Sequence, residues 1–99
     1  MALATITESI TAQAAKNAPI GGILKFDFGD DGIIHLDGSG DSNVVTNEDK
    51  DADCVISAST ETFQKMMAGE LNGMMAVMSG KVKIKGDMGL AMKLQSLVG

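Results

Sequence analysis

Between residues 23 and 37 apolar side chains fall at every second position, and no other feature narrows the fold as much. Leu24, Phe26 and Phe28 share one face, with Ile23, Lys25 and Asp27 on the other. Gly29-Asp30-Asp31-Gly32 punctuates the run as a hairpin turn. The return segment, 33–37, sets Ile34 and Leu36 on one face and Ile33, His35 and Asp37 on the other. A period of two is incompatible with an amphipathic helix, so this stretch is a sheet with one apolar face. That face has to be covered, and the rest of the chain supplies the cover.

Residues 2–18 carry Leu3, Ile6, Ile10 and Ala14 at spacings of three and four, which predicts a helix. Its Thr residues are poor helix formers, so packing must hold it, and Asn17, Pro19 and Gly21-Gly22 stop it. After a turn at Gly38-Ser39-Gly40-Asp41, a short third strand is expected over 43–47, then a charged loop over 48–51. A fourth strand over 53–59 puts Cys54, Ile56 and Ala58 on one face. At Ser59-Thr60 the period lengthens to about four. Either residue can cap a helix bearing Phe63, Met66 and Met67, which Gly69 ends. Asn72 precedes a second short helix with Met74, Met75, Val77 and Met78, closed by Gly80. Residues 81–85 alternate Lys, Val, Lys, Ile, Lys as a strand, and Asp87 caps a last helix. Helices gathered against a mostly antiparallel sheet make an α+β layer pair.

Ninety-nine residues form a single domain, 1–99, with enough core to need no disulfide or metal staple. Eight Lys, no Arg and thirteen acids leave a net charge of −5, which argues against a nucleic-acid partner. The lone Cys fits a reducing compartment, and the chain shows no secretory signal, membrane span or lipidation motif. The expected location is cytoplasmic.

The candidate chemistry is sparse. Asp49, Asp51 and Asp53 match the first, third and fifth positions of a calcium loop. The sixth position is Cys54 where Gly is needed and the twelfth is Thr60 where Glu is needed, so a solvated acidic loop is expected and no metal site. Cys54 and His35, each the sole residue of its kind, lie in separate strands and out of phase, which argues against a nucleophile–base pair. No enzyme activity and no cofactor are implied. Lys81, Lys83 and Lys85 have two readings. They protect an edge strand, or they form a basic strip for phospholipid head groups or an acyl-coenzyme A phosphate.

The methionines are the richest signal. Seven of eight lie between Met66 and Met92, in a chain with no Trp or Tyr. In the last helix Met88, Met92 and Gln95 share one face, and Leu90, Leu94 and Leu97 hold a neighbouring one. Met fills irregular cores, and it also lines surfaces that accept several apolar shapes. Gln95, a polar amide beside two Met, suits the second use.

The C-terminal half carries a longer signature. Asp51-Ala52-Asp53-Cys54-Val55-Ile56-Ser57 leads to Thr60-Glu61-Thr62-Phe63 and Gly69-Glu70-Leu71-Asn72. Gly80-Lys81-Val82-Lys83-Ile84-Lys85-Gly86-Asp87-Met88 and Ala91-Met92-Lys93-Leu94-Gln95 follow. This series, over 51–97, strongly resembles the sterol carrier protein type 2 family, also called non-specific lipid-transfer proteins. The resemblance implies a five-stranded, mainly antiparallel sheet covered on one face by helices, with an apolar tunnel between the layers. It implies non-catalytic binding of sterol, fatty acid, acyl-coenzyme A or phospholipid. Carried over by position, the lining is Phe63, Met66, Met67, Met74, Met75, Met78, Met88, Ala91, Met92 and Gln95. The alternative is an accessory module that presents a lipid or quinone intermediate to a partner enzyme. Gly73 stands where the family usually has Pro, and Val77-Met78 replace common aromatics, which reshapes the pocket.

Overall fold

The structure is a computed structural model that describes residues 3–98, with side chains described except at 73, 74 and 94–98. Helix α1 (Leu3–Lys16) leads into strand β1 (Ile23–Asp27), a 3-10 turn (Gly29–Asp31) and strand β2 (Ile33–Asp37). Strands β3 (Val44–Thr46) and β4 (Cys54–Ala58) follow. Helices α2 (Thr60–Met67) and α3 (Gly73–Met78), strand β5 (Val82–Gly86) and helix α4 (Met88–Val98) complete the chain. The sheet order is β3-β2-β1-β4-β5. Three pairings are antiparallel and one, β1 with β4, is parallel.

The alternation read from the sequence sets the register. Leu24 pairs with Leu36 and Cys54, and Phe26 with Ile34 and Ile56, so the apolar positions of three strands form one continuous face. Val82 of β5 extends it beside Ala58. Helix α1 adds Ile6, Ile10 and Ala14, and α4 adds Leu90 and Ala91, all buried in the same cluster. Burying one fully exposed Ile or Leu is worth about 1.5–3 kcal/mol, so this stripe, rather than helix propensity, holds the Thr-containing α1.

The opposite face carries Lys25, His35, Val55 and Lys85 in one cross-strand row. A parallel β1–β4 pair requires the chain to cross the sheet. Residues 47–53 make that crossing over this polar face. Asn47 Nδ2 donates to the Ile33 carbonyl at 3.0 Å, Asp49 pairs with Lys25 Nζ at 2.9 Å, and Asp53 N donates to the Ile23 carbonyl at 2.9 Å. The acidic loop expected to be merely solvated is thus pinned to the sheet by its own polar groups.

Boundaries shift slightly from the sequence reading. Helix α1 ends at Lys16, and β3 spans three residues, with Asn43 outside it. β5 runs one position later than expected, because Gly86 still pairs with Cys54. Ser59 is the residue that caps α2, its Oγ accepting from Thr62 N at 3.1 Å. Asp87 caps α4 by accepting from Gly89 N at 2.8 Å.

Candidate functional site

Helix α2 is set by its first turn. Ser59 satisfies an amide that would otherwise lack a partner. The buried Thr60 donates its hydroxyl to Asp31 at 3.2 Å, tying the helix start to the β1–β2 connection. Phe63 then points at the sheet and meets Phe26 and Phe28 edge-on, with ring centroids 5.2 and 5.4 Å away. All three Phe of the chain therefore form one cluster between α2 and the sheet.

The residues named from the sequence divide into two groups. Phe63, Met66 and Ala91 are buried in the core cluster, and Met67 packs half-buried against it. Met75, Met78, Met88 and Met92 are exposed, Met78 to 79% and Met92 to 72%. Among the described side chains of α3 and α4, the buried positions are Ala76, Leu90 and Ala91. The side chains of Met74 and Gln95 lie outside the described residues. Four large apolar side chains on α3 and α4 thus stand outside the core, where they are available to another apolar body.

The described structure also has a cleft that periodicity did not reveal. It lies between α1 and α2, is open to solvent, and has a volume of about 720 Å³. Helix α1 contributes Thr5, Ile6, Ser9, Ala12 and Gln13 to its walls. Glu61, Gln64, Lys65, Met67, Ala68 and Glu70 form the other side. Thr5, Ser9 and Gln13 recur at i, i+4 and i+8, a small polar stripe beside the apolar one, and that spacing was the available clue. What faces the stripe is set by helix packing alone. Gln64 is the one side chain among the described residues whose polar nitrogen, Nε2, is buried without a hydrogen-bond partner. Such an orphan donor costs about 1–3 kcal/mol.

The other sequence candidates are accounted for structurally. Cys54 is fully buried on the helix-covered face, and burial pushes its thiol pKa up, with the Asp87 carboxylate adding to the shift. His35 lies on the opposite face, 4% exposed, with Nε2 3.1 Å from the Asp51 carbonyl. The sheet separates thiol from imidazole, so the two cannot act as a nucleophile and its base. Among the described residues no three His, Cys, Asp or Glu side chains are placed to hold a metal ion. Lys81 precedes the edge strand β5, and Lys83 and Lys85 lie on it, all exposed. The ion pairs among the described residues join Lys25 to Asp49, Lys50 to Glu48 and Lys65 to Glu61 instead. No described helix is long and apolar enough to cross a membrane.

Comparison with known proteins agrees with this architecture. Hydroxysteroid dehydrogenase-like protein 2 of Danio rerio is 42% identical over 98 residues, covering 95% of this chain and 23% of that protein. Sterol carrier protein 2 of Homo sapiens is 48% identical over 59 residues, covering 60% of this chain and 11% of that protein. The chain therefore spans between about a tenth and a quarter of these relatives. The solution structure of the sterol carrier protein domain 2 of Helicoverpa armigera superposes with a TM-score of 0.67 at 30% identity. That match covers 94% of this chain and 80% of that one. The profile of the SCP-2 sterol transfer family matches residues 3–99, and with the five-stranded sheet and its helical cover it establishes that the chain belongs to this family.

Proposed function

We propose that residues 1–99 act as one lipid-binding domain that carries a single lipid-like molecule without chemically changing it. The observation that carries this reading is the exposure of Met75, Met78, Met88 and Met92 on a member of a sterol transfer family. Unbranched thioethers adapt to differently shaped apolar ligands, and a soluble domain has little other reason to display four of them on two neighbouring helices. The ligand lies in an apolar tunnel between the helices and the sheet. Phe63, Met66, Met67 and Ala91 form its inner wall. Met74, Met75, Met78, Met88 and Met92 form its mouth, and Gln95 orients the polar head. Sterol, fatty acid, acyl-coenzyme A and phospholipid are the ligand classes. An acyl chain that hides about 300 Å² gains roughly 7 kcal/mol before ordering costs.

No catalytic step belongs to this reading, and the separation of Cys54 from His35 supports that. Lys81, Lys83 and Lys85 meet anionic head groups in a transient contact when cargo is exchanged, supported by their exposure beside the edge strand. The buried lone thiol supports a reducing, cytoplasmic setting.

A second reading draws on the relatives. Their matching stretch is a small part of a longer chain, which favours an accessory module that presents a lipid or quinone intermediate to a partner enzyme. Native mass spectrometry with lipid extraction of the purified protein decides the first reading. A retained lipid, or saturable binding of a fluorescent acyl chain or sterol, is expected. The absence of both overturns it. Co-purification of an enzyme that is lost in Met78→Asp favours the second.

A further inference from the structure

The cleft between α1 and α2 has a charge pattern that the exposed methionines lack. Its floor is apolar, built on Ile6 and Met67. Its rim carries the exposed carboxylates of Glu61 and Glu70 against a single ammonium, that of Lys65. Lys65 is already engaged, with Nζ 3.5 Å from the Glu61 carboxylate. Two negative charges against one positive leave the rim at −1, on a chain whose net charge is −5. An anionic head group arriving here meets like charge from near and far.

Gln64 supplies the second half of the pattern. It lines the same cleft, and its Nε2 is buried with no acceptor among the described residues. The terminal torsion of a glutamine is soft, so a small turn of the amide brings its N–H groups to the cleft. A donor in need of an acceptor favours a ligand oxygen, and an ammonium head group offers none.

We infer that this cleft, rather than Gln95, seats the head of the carried lipid and selects an uncharged, oxygen-bearing amphiphile, an alcohol or ester, over a carboxylate. The ligand oxygen accepts from Gln64 Nε2, and the adjoining hydrocarbon lies on Ile6 and Met67. The inference rests on the carrier reading and narrows its ligand class.

The test compares 1-decanol with decanoate at pH 8, probes of equal chain length, by calorimetric titration and by amide chemical shifts. Decanol is expected to bind about fivefold or more tighter, with shifts concentrated in residues 3–16 and 60–70. Gln64→Leu should weaken decanol about fivefold, and so should Gln64→Glu, which keeps the side-chain shape but loses the donor. Replacing both rim carboxylates, Glu61→Gln with Glu70→Gln, should narrow the gap between the probes. Equal affinities, indifference to both Gln64 variants, or shifts confined to α3 and α4 overturn this inference while leaving the carrier reading intact. Failure of both probes and of sterols to bind overturns the two together.

Discussion

The side-chain nitrogen of Asn43 lies 3.2 Å from the carbonyl oxygen of Ala14, so a residue just before β3 caps a helix that ends far upstream. The same amide donates to the Ala18 carbonyl at 3.1 Å, and its Oδ1 accepts from Ile20 N at 3.1 Å. The Ala14 carbonyl also accepts from Asn17 N at 3.3 Å, so what this one side chain adds is partners for the Ala18 carbonyl and the Ile20 amide on the path from α1 into β1. Asn43→Ala should destabilise the fold by about 2 kcal/mol, because it orphans several backbone groups at once. Urea unfolding measures this. A change below about 0.5 kcal/mol would mean that water replaces the amide.

Gly86 offers a second check. Its φ is +108°, and a Cβ placed on it would collide with the Asp53 backbone. Gly86→Ala therefore meets both a disfavoured dihedral and the neighbouring strand β4. A loss of about 2 kcal/mol is expected, with the melting temperature as readout. Gly40→Ala makes the matched control, since open space surrounds that position, and it should change little.

Cys54 links stability to pH. Burial, then the nearby Asp87 charge, raises its thiol pKa above the ordinary 9.0. The folded state holds the proton more tightly than the unfolded chain. The resulting stability is complete below pH 9.0 and is lost as pH rises through the folded value. Unfolding measured from pH 7 upward should therefore decline more steeply for the wild type than for Cys54→Ala. Disulfide-exchange reagents should label the native thiol only as fast as the protein opens.

Phe63 and Met78 separate architecture from binding. Phe63 is fully buried against two rings, so Phe63→Ala should cost about 3–5 kcal/mol. Met78 is exposed, and Met78→Asp should stay within about 0.5 kcal/mol of wild type by thermal unfolding. If Met78 belongs to the mouth of the lipid site, that same variant should bind fluorescent acyl chains several-fold more weakly.

Much of this was legible in residues close together in the chain. The alternation at Leu24, Phe26, Ile34 and Leu36 specified the strands and the buried face. Asp87 and the Ser59-Thr60 pair marked the helix starts. His35 fell on the polar face because its phase differs from that of Ile34 and Leu36. The run from Gly80 to Gln95 pointed to the family. The methionines were harder to read, since seven thioethers on short helices satisfy either a core or a surface pattern. Met66 faces the core, while Met75, Met78, Met88 and Met92 do not.

Local periodicity reports which side of its own element a residue faces, and it is silent about what stands opposite. For that reason strand phase, helix caps and family were readable from short segments. Three other features depended on segments far apart in the chain. They are the passage of residues 47–53 across the polar sheet face, the remote capping of α1 by Asn43, and the meeting of Thr5 and Ser9 with Gln64 across a cleft. Each arises because the apolar stripes of α1, α2 and the sheet bury together, and the polar groups left at their margins then find whichever partners that packing brings within reach.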